Sequence, residues 1–117
     1  VKIREIETLL DSDILCGRDK MDMEIECACG SDMMSEVLAF TKHAAALLTG
    51  LANIHVIKTA EILDIGCVIF VRGKTPAEEI IKMAQDRGMV LMSTDLPMFT
   101  ACGILYSNGI AGGMRGE

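Results

Sequence analysis

The chain has 117 residues, 50% of them hydrophobic and 3% aromatic, with 17 acids against 11 bases and a formal net charge of -6. Folding a chain of this length hides roughly two thirds of its unfolded surface, enough for one core and not two, so one domain over residues 1–110 with a flexible tail over 111–117 is expected. The apolar content excludes global disorder and no apolar run approaches the ~18 residues of a membrane span. The acidic balance and the absence of Trp argue against nucleic acid.

Ile3, Ile6, Leu9 and Leu10 fall at helical spacing, one apolar stripe on a charged opening helix. Asp11-Ser12-Asp13 breaks it, and the apolar run Ile14–Cys16 ends at Gly17. Gly17 to Glu24 is polar and reads as a loop with Arg18-Asp19-Lys20 at its tip. Ile25–Cys29 reads as a strand. Ser31 or Asp32 is then placed to cap a short helix over Met33–Phe40, because a side-chain oxygen there satisfies free N–H groups.

Ala44–Leu48 is a second apolar run, followed by Thr49-Gly50, and Asn53 is a suitable cap for a helix through Leu63. Cys67–Val71 and Met89–Met92 are continuous aliphatic runs, the pattern of strands covered on both faces. Gly66 and Gly88 precede them as the expected left-handed residues closing a helix. Between the runs, Thr75 is expected to cap a helix with Pro76 in its first turn, Glu78 and Glu79 near its start and Arg87 at its end. Ser93-Thr94-Asp95 is expected to cap a last helix, with Pro97 in its first turn and Asn108-Gly109 as its stop. From residue 44 the order is strand–helix three times over. The expected fold is a small α/β sandwich, a mostly parallel sheet flanked by helices with right-handed crossovers.

The charge is uneven. Residues 1–36 carry ten acids and four bases, whereas residues 37–117 carry seven of each. The acidic third keeps the protein soluble or offers a docking surface to a basic protein partner. Five cysteines lack the even spacing of a disulfide framework, which points to a reducing, cytoplasmic setting. Cys27 and Cys29 form a C-x-C pair whose thiolates would share one face of a strand. They are the weak candidates for a metal or redox site, since zinc and iron–sulfur sites usually take four ligands.

Several segments together resemble the DRTGG domain family. They are Leu47–Gly50 (L-L-T-G), Cys67–Gly73 (C-V-I-F-V-R-G), Ile80–Thr94 (I-I-K-M-A-Q-D-R-G-M-V-L-M-S-T) and the F-x-x-x-x-x-L of Phe99–Leu105. The upstream L-D-S-D-I-L-C-G and Gly30–Ser35 segments fit the same family's N-terminal part, so the resemblance covers nearly the whole chain. Such domains occur as accessory modules in phosphotransacetylases and certain regulatory pyrophosphatases and alone as small bacterial proteins, and they are similar to the N-terminal domain of the phosphocarrier serine kinase. The resemblance implies a regulatory, dimerising or ligand-sensing part without catalysis of its own.

In open α/β sheets, ligands bind outside the carboxyl ends of the strands. Three such ends are expected here: Thr49, Gly50 and Asn53; Arg72, Gly73 and Lys74; Ser93, Thr94 and Asp95. Hydroxyls, a basic pair, glycines and free N–H groups there suit a small anionic metabolite or a nucleotide. Each of these residues also has a capping or turn explanation. No phosphate-loop, dinucleotide, zinc-protease or nucleophile-elbow motif occurs, so neither an enzyme nor a cofactor is expected. The leading reading is a regulatory module working as a homodimer. An anion sensor at the strand ends comes second, and a Cys27/Cys29 metal or redox protein third.

Overall fold

The computed structural model describes residues 1–42 and 45–114. Helix α1 (Ile3–Leu10) buries Ile3, Ile6 and Leu10 as its spacing dictates, and it ends where Asp11 turns left-handed at φ 47°. Strand β1 (Asp13–Cys16) follows, then a 3₁₀ turn at Arg18–Lys20 and strand β2 (Cys27–Gly30). Helix α2 (Met34–Phe40), β3 (Ala46–Thr49), α3 (Ile54–Ile62), β4 (Cys67–Phe70), α4 (Glu78–Asp86), β5 (Val90–Ser93), α5 (Met98–Ser107) and β6 (Ala111–Gly112) complete the order.

The six strands form one sheet in the order β1-β5-β4-β3-β2-β6. All neighbours run parallel except β1, which pairs antiparallel with β5. This is the mostly parallel α/β sandwich expected. Side chains alternate across it. Leu48, Ile69 and Met92 face the layer of α1 and α5, packing with Ile6 and Leu105. Leu47, Phe70 and Leu91 face the layer of α2, α3 and α4, packing with Val37, Ile57 and Ala84. A strand with helices on both sides has no water-facing position, which is why β3 to β5 read as apolar runs without alternation, polar only at the closing Thr49 and Ser93.

The topology explains the layering. From β2 to β5 each parallel strand is laid beside the previous one in the same direction, so α2, α3 and α4 share one face. Helix α5 then crosses back over the other face to reach β6 at the far edge. The connections after β4 and β5 therefore leave toward opposite faces.

Several local expectations are corrected. Gly66 does not close α3; Asp64 does, at φ 55°, because Ile65 N–H already bonds the Ala60 carbonyl at 2.8 Å. Gly88 does close α4, at φ 72°, with Met89 N–H on the Ala84 carbonyl at 3.0 Å. Thr75 is not the cap of α4. The helix starts at Glu78 after Ala77, and Pro76 is buried as an anchor ahead of it. Ser93-Thr94-Asp95 does not cap α5, which begins at Met98 behind Pro97. The Thr94 hydroxyl instead donates to the Leu10 carbonyl at 2.7 Å, tying β5 to the end of α1.

The C-terminal boundary moves as well. Ala111–Gly112, expected in the tail, is β6 and pairs with β2. Gly113 N–H continues the ladder to the Ala28 carbonyl at 2.7 Å, and Met114 bridges Thr41. Arg115–Glu117, His43 and Ala44 lie outside the described residues.

Candidate functional site

Strand β3 ends at Thr49 and β4 at Phe70, paired in register, so Gly50 and Val71 leave the sheet side by side, with the end of β2 next to them. After β4 the chain reverses through Val71–Lys74, closed by Lys74 N–H on the Val71 carbonyl at 3.2 Å. Arg72 and Gly73 both take positive φ, 58° and 69°, the two central positions of a type I′ turn. Glycine accepts this freely, while an arginine there costs about 1–2 kcal/mol. The result is that the Arg72 side chain lies back over Gly50, so close that a β-carbon at position 50 would overlap Nη2.

That guanidinium meets Asp32, on the connection from β2 to α2. Arg72 Nη2 is 3.4 Å from Asp32 Oδ2, with both side chains half exposed. Asp32 Oδ1 accepts from Gly50 N–H at 2.6 Å and from the Thr49 hydroxyl at 3.2 Å. Thr49 is fully buried, and its oxygen in turn accepts Leu51 N–H at 3.2 Å. One carboxylate therefore closes a ring of donors from β3 and β4.

Asp32 is one of the two residues, with Ser31, that the sequence placed at a helix cap. Neither residue caps α2, which has no side-chain cap; the Ser31 hydroxyl accepts Met33 N–H at 3.0 Å, ahead of the helix. The available signal was an acid directly after the strand ending at Gly30, a fourth strand end beside the three considered.

The other expected residues divide. Asn53 caps α3, its side-chain oxygen accepting His55 N–H at 3.1 Å. The loops after β4 and β5 are joined by backbone bonds, Gly73 N–H to the Thr94 carbonyl and Arg72 N–H to the Leu96 carbonyl, each 2.9 Å. Ser93 donates its hydroxyl to the Lys74 carbonyl at 2.8 Å. Asp95 and the Lys74 side chain are exposed beside this turn. Thus Thr49, Gly50 and Arg72 converge, Gly73, Lys74, Ser93 and Thr94 support the turn, and Asn53 serves α3.

Backbone donation from Gly50, then the Thr49 hydroxyl and Arg72, hold the Asp32 carboxyl below its ordinary value of 3.8, against a smaller opposing effect of burial. A carboxyl lowered in the folded state stabilises it fully above the ordinary value, and this contribution is lost as pH falls through the lowered value. Asp32→Asn is therefore expected to flatten the fall in stability as pH drops through and below the ordinary carboxyl value of 3.8. The effect is small because solvent screens the pair. Urea midpoints of both proteins across that window check it; parallel curves would contradict it.

Among the described residues, no group of three or more His, Cys, Asp or Glu is placed to hold a metal. Cys29 is buried 3.4 Å from the Thr41 hydroxyl. Cys67 is fully buried, and loss of solvent pushes its thiol up to about 12.

A second feature lies on α5. The helix carries no charged residue, and a cavity of about 410 Å³ opens between it and β2 and β6, lined in part by Gly30, Phe99, Cys102, Tyr106 and Met114. Phe99 is 90% exposed and Tyr106 74% exposed, on one helix face with Gly103 between them. Phe40, at the end of α2, is also exposed; of the four aromatic residues only Phe70 is buried.

No protein-family model matches the chain, and no curated protein matches it significantly. A solved structure is similar: the CBS and DRTGG domains of the regulatory region of Clostridium perfringens pyrophosphatase, complexed with an activator, diadenosine tetraphosphate. The identity is 17% and the TM-score 0.72, over 89% of this chain and 45% of that one. The chain thus spans less than half the length of this neighbour. The likeness is one of fold, as the DRTGG resemblance implies, without a match that places the chain in that family. No helix among the described residues is long and apolar enough to cross a membrane.

Proposed function

We propose that the chain is a non-catalytic regulatory module of a cytoplasmic system that works as a homodimer, with α5 as the contact face. The observation that carries this reading is the stripe Phe99, Gly103, Tyr106. An amphipathic surface helix turns charge outward, yet α5 turns two aromatic rings outward and bears no charge at all. Aromatic side chains exposed in this way are the usual anchors of protein interfaces.

A second copy fits this face better than another partner. The stripe holds knobs and a hole together, since Phe99 and Tyr106 flank a glycine with open space above it. A two-fold axis brings the same patch onto itself, so knob and hole on one face are self-complementary. Two copies of a chain with net charge -6 also repel, and an uncharged helix is where they meet at least cost. The fold likeness to a regulatory region supports a regulatory role. Thiols held within the fold at Cys16, Cys67 and Cys102 suit a reducing compartment.

Gly103 supplies the test. A glycine inside a helix costs about 1 kcal/mol relative to alanine, and no atom within 4 Å of the β-carbon position requires it in the single chain. Gly103→Ala is expected to raise the stability of the isolated chain by about that amount while weakening self-association, read by urea unfolding and sedimentation equilibrium. A variant that is more stable and associates as tightly as the wild type would remove Gly103 from the contact.

A further inference from the structure

We infer that the ends of β3 and β4 form a phosphoryl-binding site that the chain's own Asp32 carboxylate occupies in this structure. The donors facing Asp32 belong to other elements: Gly50 N–H at 2.6 Å, the Thr49 hydroxyl at 3.2 Å and Arg72 Nη2 at 3.4 Å. A backbone amide, a hydroxyl and a guanidinium aimed at one point are the set that cradles an oxyanion. They sit outside the carboxyl ends of parallel strands, where α/β sheets take their ligands.

Two further observations separate this arrangement from a routine loop cap. Arg72 reaches the site only through a left-handed backbone, and Gly50 leaves the space its guanidinium lies over. Backbone strain and a close approach are thus both directed at one point, a combination that gathers at ligand clamps. Thr49 is fully buried, so departure of Asp32 without a replacement would leave its hydroxyl proton and the Gly50 amide without an acceptor. An incoming anion removes that penalty.

Exchange is feasible because the two sides are unequal. Asp32 is exposed, on the short connection Ser31–Met33, and a rotation of its side chain returns the carboxylate to water. Exposed ion pairs are worth little. A phosphoryl group brings up to two charges and three acceptor oxygens to the same donors. Lys74, exposed in the same turn, adds positive charge, while Asp95, beside Gly73, opposes it. The contact is self-inhibitory: Asp32 holds the site until an anion of sufficient charge displaces it. The readout below is binding and not assembly, so its failure and the failure of the α5 contact are separate results.

The experiment is calorimetric titration of the whole chain with inorganic phosphate and, in a second arm, with a nucleoside monophosphate. Asp32→Ala is expected to bind phosphate about tenfold tighter than the wild type, and adding Arg72→Ala to abolish that gain. Phosphate binding by Asp32→Ala no tighter than wild type would overturn the site, as would an unaltered gain in the double variant. Should Asp32→Ala fail to fold, the wild type decides by NMR: phosphate at about 100 mM must shift the Gly50 amide, and an unmoved amide overturns the site. Preference for the monophosphate over inorganic phosphate supports the site with a nucleotide as the source, and equal binding supports it with free phosphate.

Discussion

Glutamate at both Phe99 and Tyr106 is expected to convert the proposed dimer into a monomer with the fold intact. Both rings are largely in solvent in the single chain, so their loss removes no core contact. At a self-complementary interface each is a buried anchor on both copies, and truncating such an anchor costs about 2–4 kcal/mol in association. Two anchors together raise the dissociation constant by about a thousandfold or more, before the added repulsion between like-charged copies. Sedimentation equilibrium reads the assembly, while far-ultraviolet circular dichroism and the melting temperature report the fold. A variant that stays dimeric at wild-type affinity would mean that the copies meet elsewhere. One that unfolds would mean that the rings serve the core.

The second large effect concerns the sheet. Ile69 and Phe70 are neighbours on β4 with side chains on opposite faces, each 0% exposed, one packed under α1 and α5 and the other under α2, α3 and α4. Ile69→Ala is expected to cost about 2–5 kcal/mol and Phe70→Ala about 3–5 kcal/mol, each from lost burial plus the cavity left behind. Against a total stability of about 5–15 kcal/mol, either change is severe. The informative feature is that both are severe. A sheet covered on one side alone would forgive one of the two. Urea unfolding of each variant measures this, and a cost below about 1 kcal/mol for either would contradict the two-layer packing.

Those two residues also show what was legible in the sequence. Cys67–Phe70 and Val90–Met92 are aliphatic without alternation, and a backbone covered on both faces has no other way to be written. The Ile3, Ile6, Leu10 spacing marked α1 in the same direct manner. Strand β6 was not legible. Two residues, Ala111-Gly112, carry no periodicity, and their pairing with β2 is a backbone affair that needs small side chains. A β-carbon at Gly113 would stand 3.0 Å from the Ala28 backbone. Gly113, which looks like part of a frayed end, is there for close approach.

The candidate site divides along the same line. Thr49, Gly50 and Arg72 could be named because strand ends are where such sheets bind. Asp32 could not, since Ser-Asp ahead of a helix has a sufficient local explanation in capping. Its actual partners lie 17 to 40 residues away in sequence. Only the closure of β2 beside β3 brings them within reach. The same limit applies to Thr94, whose hydroxyl passes over the local helix start for the Leu10 carbonyl 84 residues back. Short polar residues at loop ends have two lawful readings, and tertiary contacts choose between them.

The acidic N-terminal third gains a structural meaning too. Its acids are spread over α1, β1, the connection through Glu26, the loop after β2 and the start of α2, whereas α5 has none. Some are engaged within the chain, as in the exposed Arg4–Asp22 pair at 3.2 Å. In the proposed dimer the face free of charge, not the charged one, meets the second copy.

Light scattering coupled to size-exclusion chromatography of the wild-type chain tests the central claim most directly. At about 100 μM, where a dimer held tighter than about 10 μM is largely formed, the account predicts twice the mass of the single chain. A peak at the single-chain mass under those conditions would contradict it.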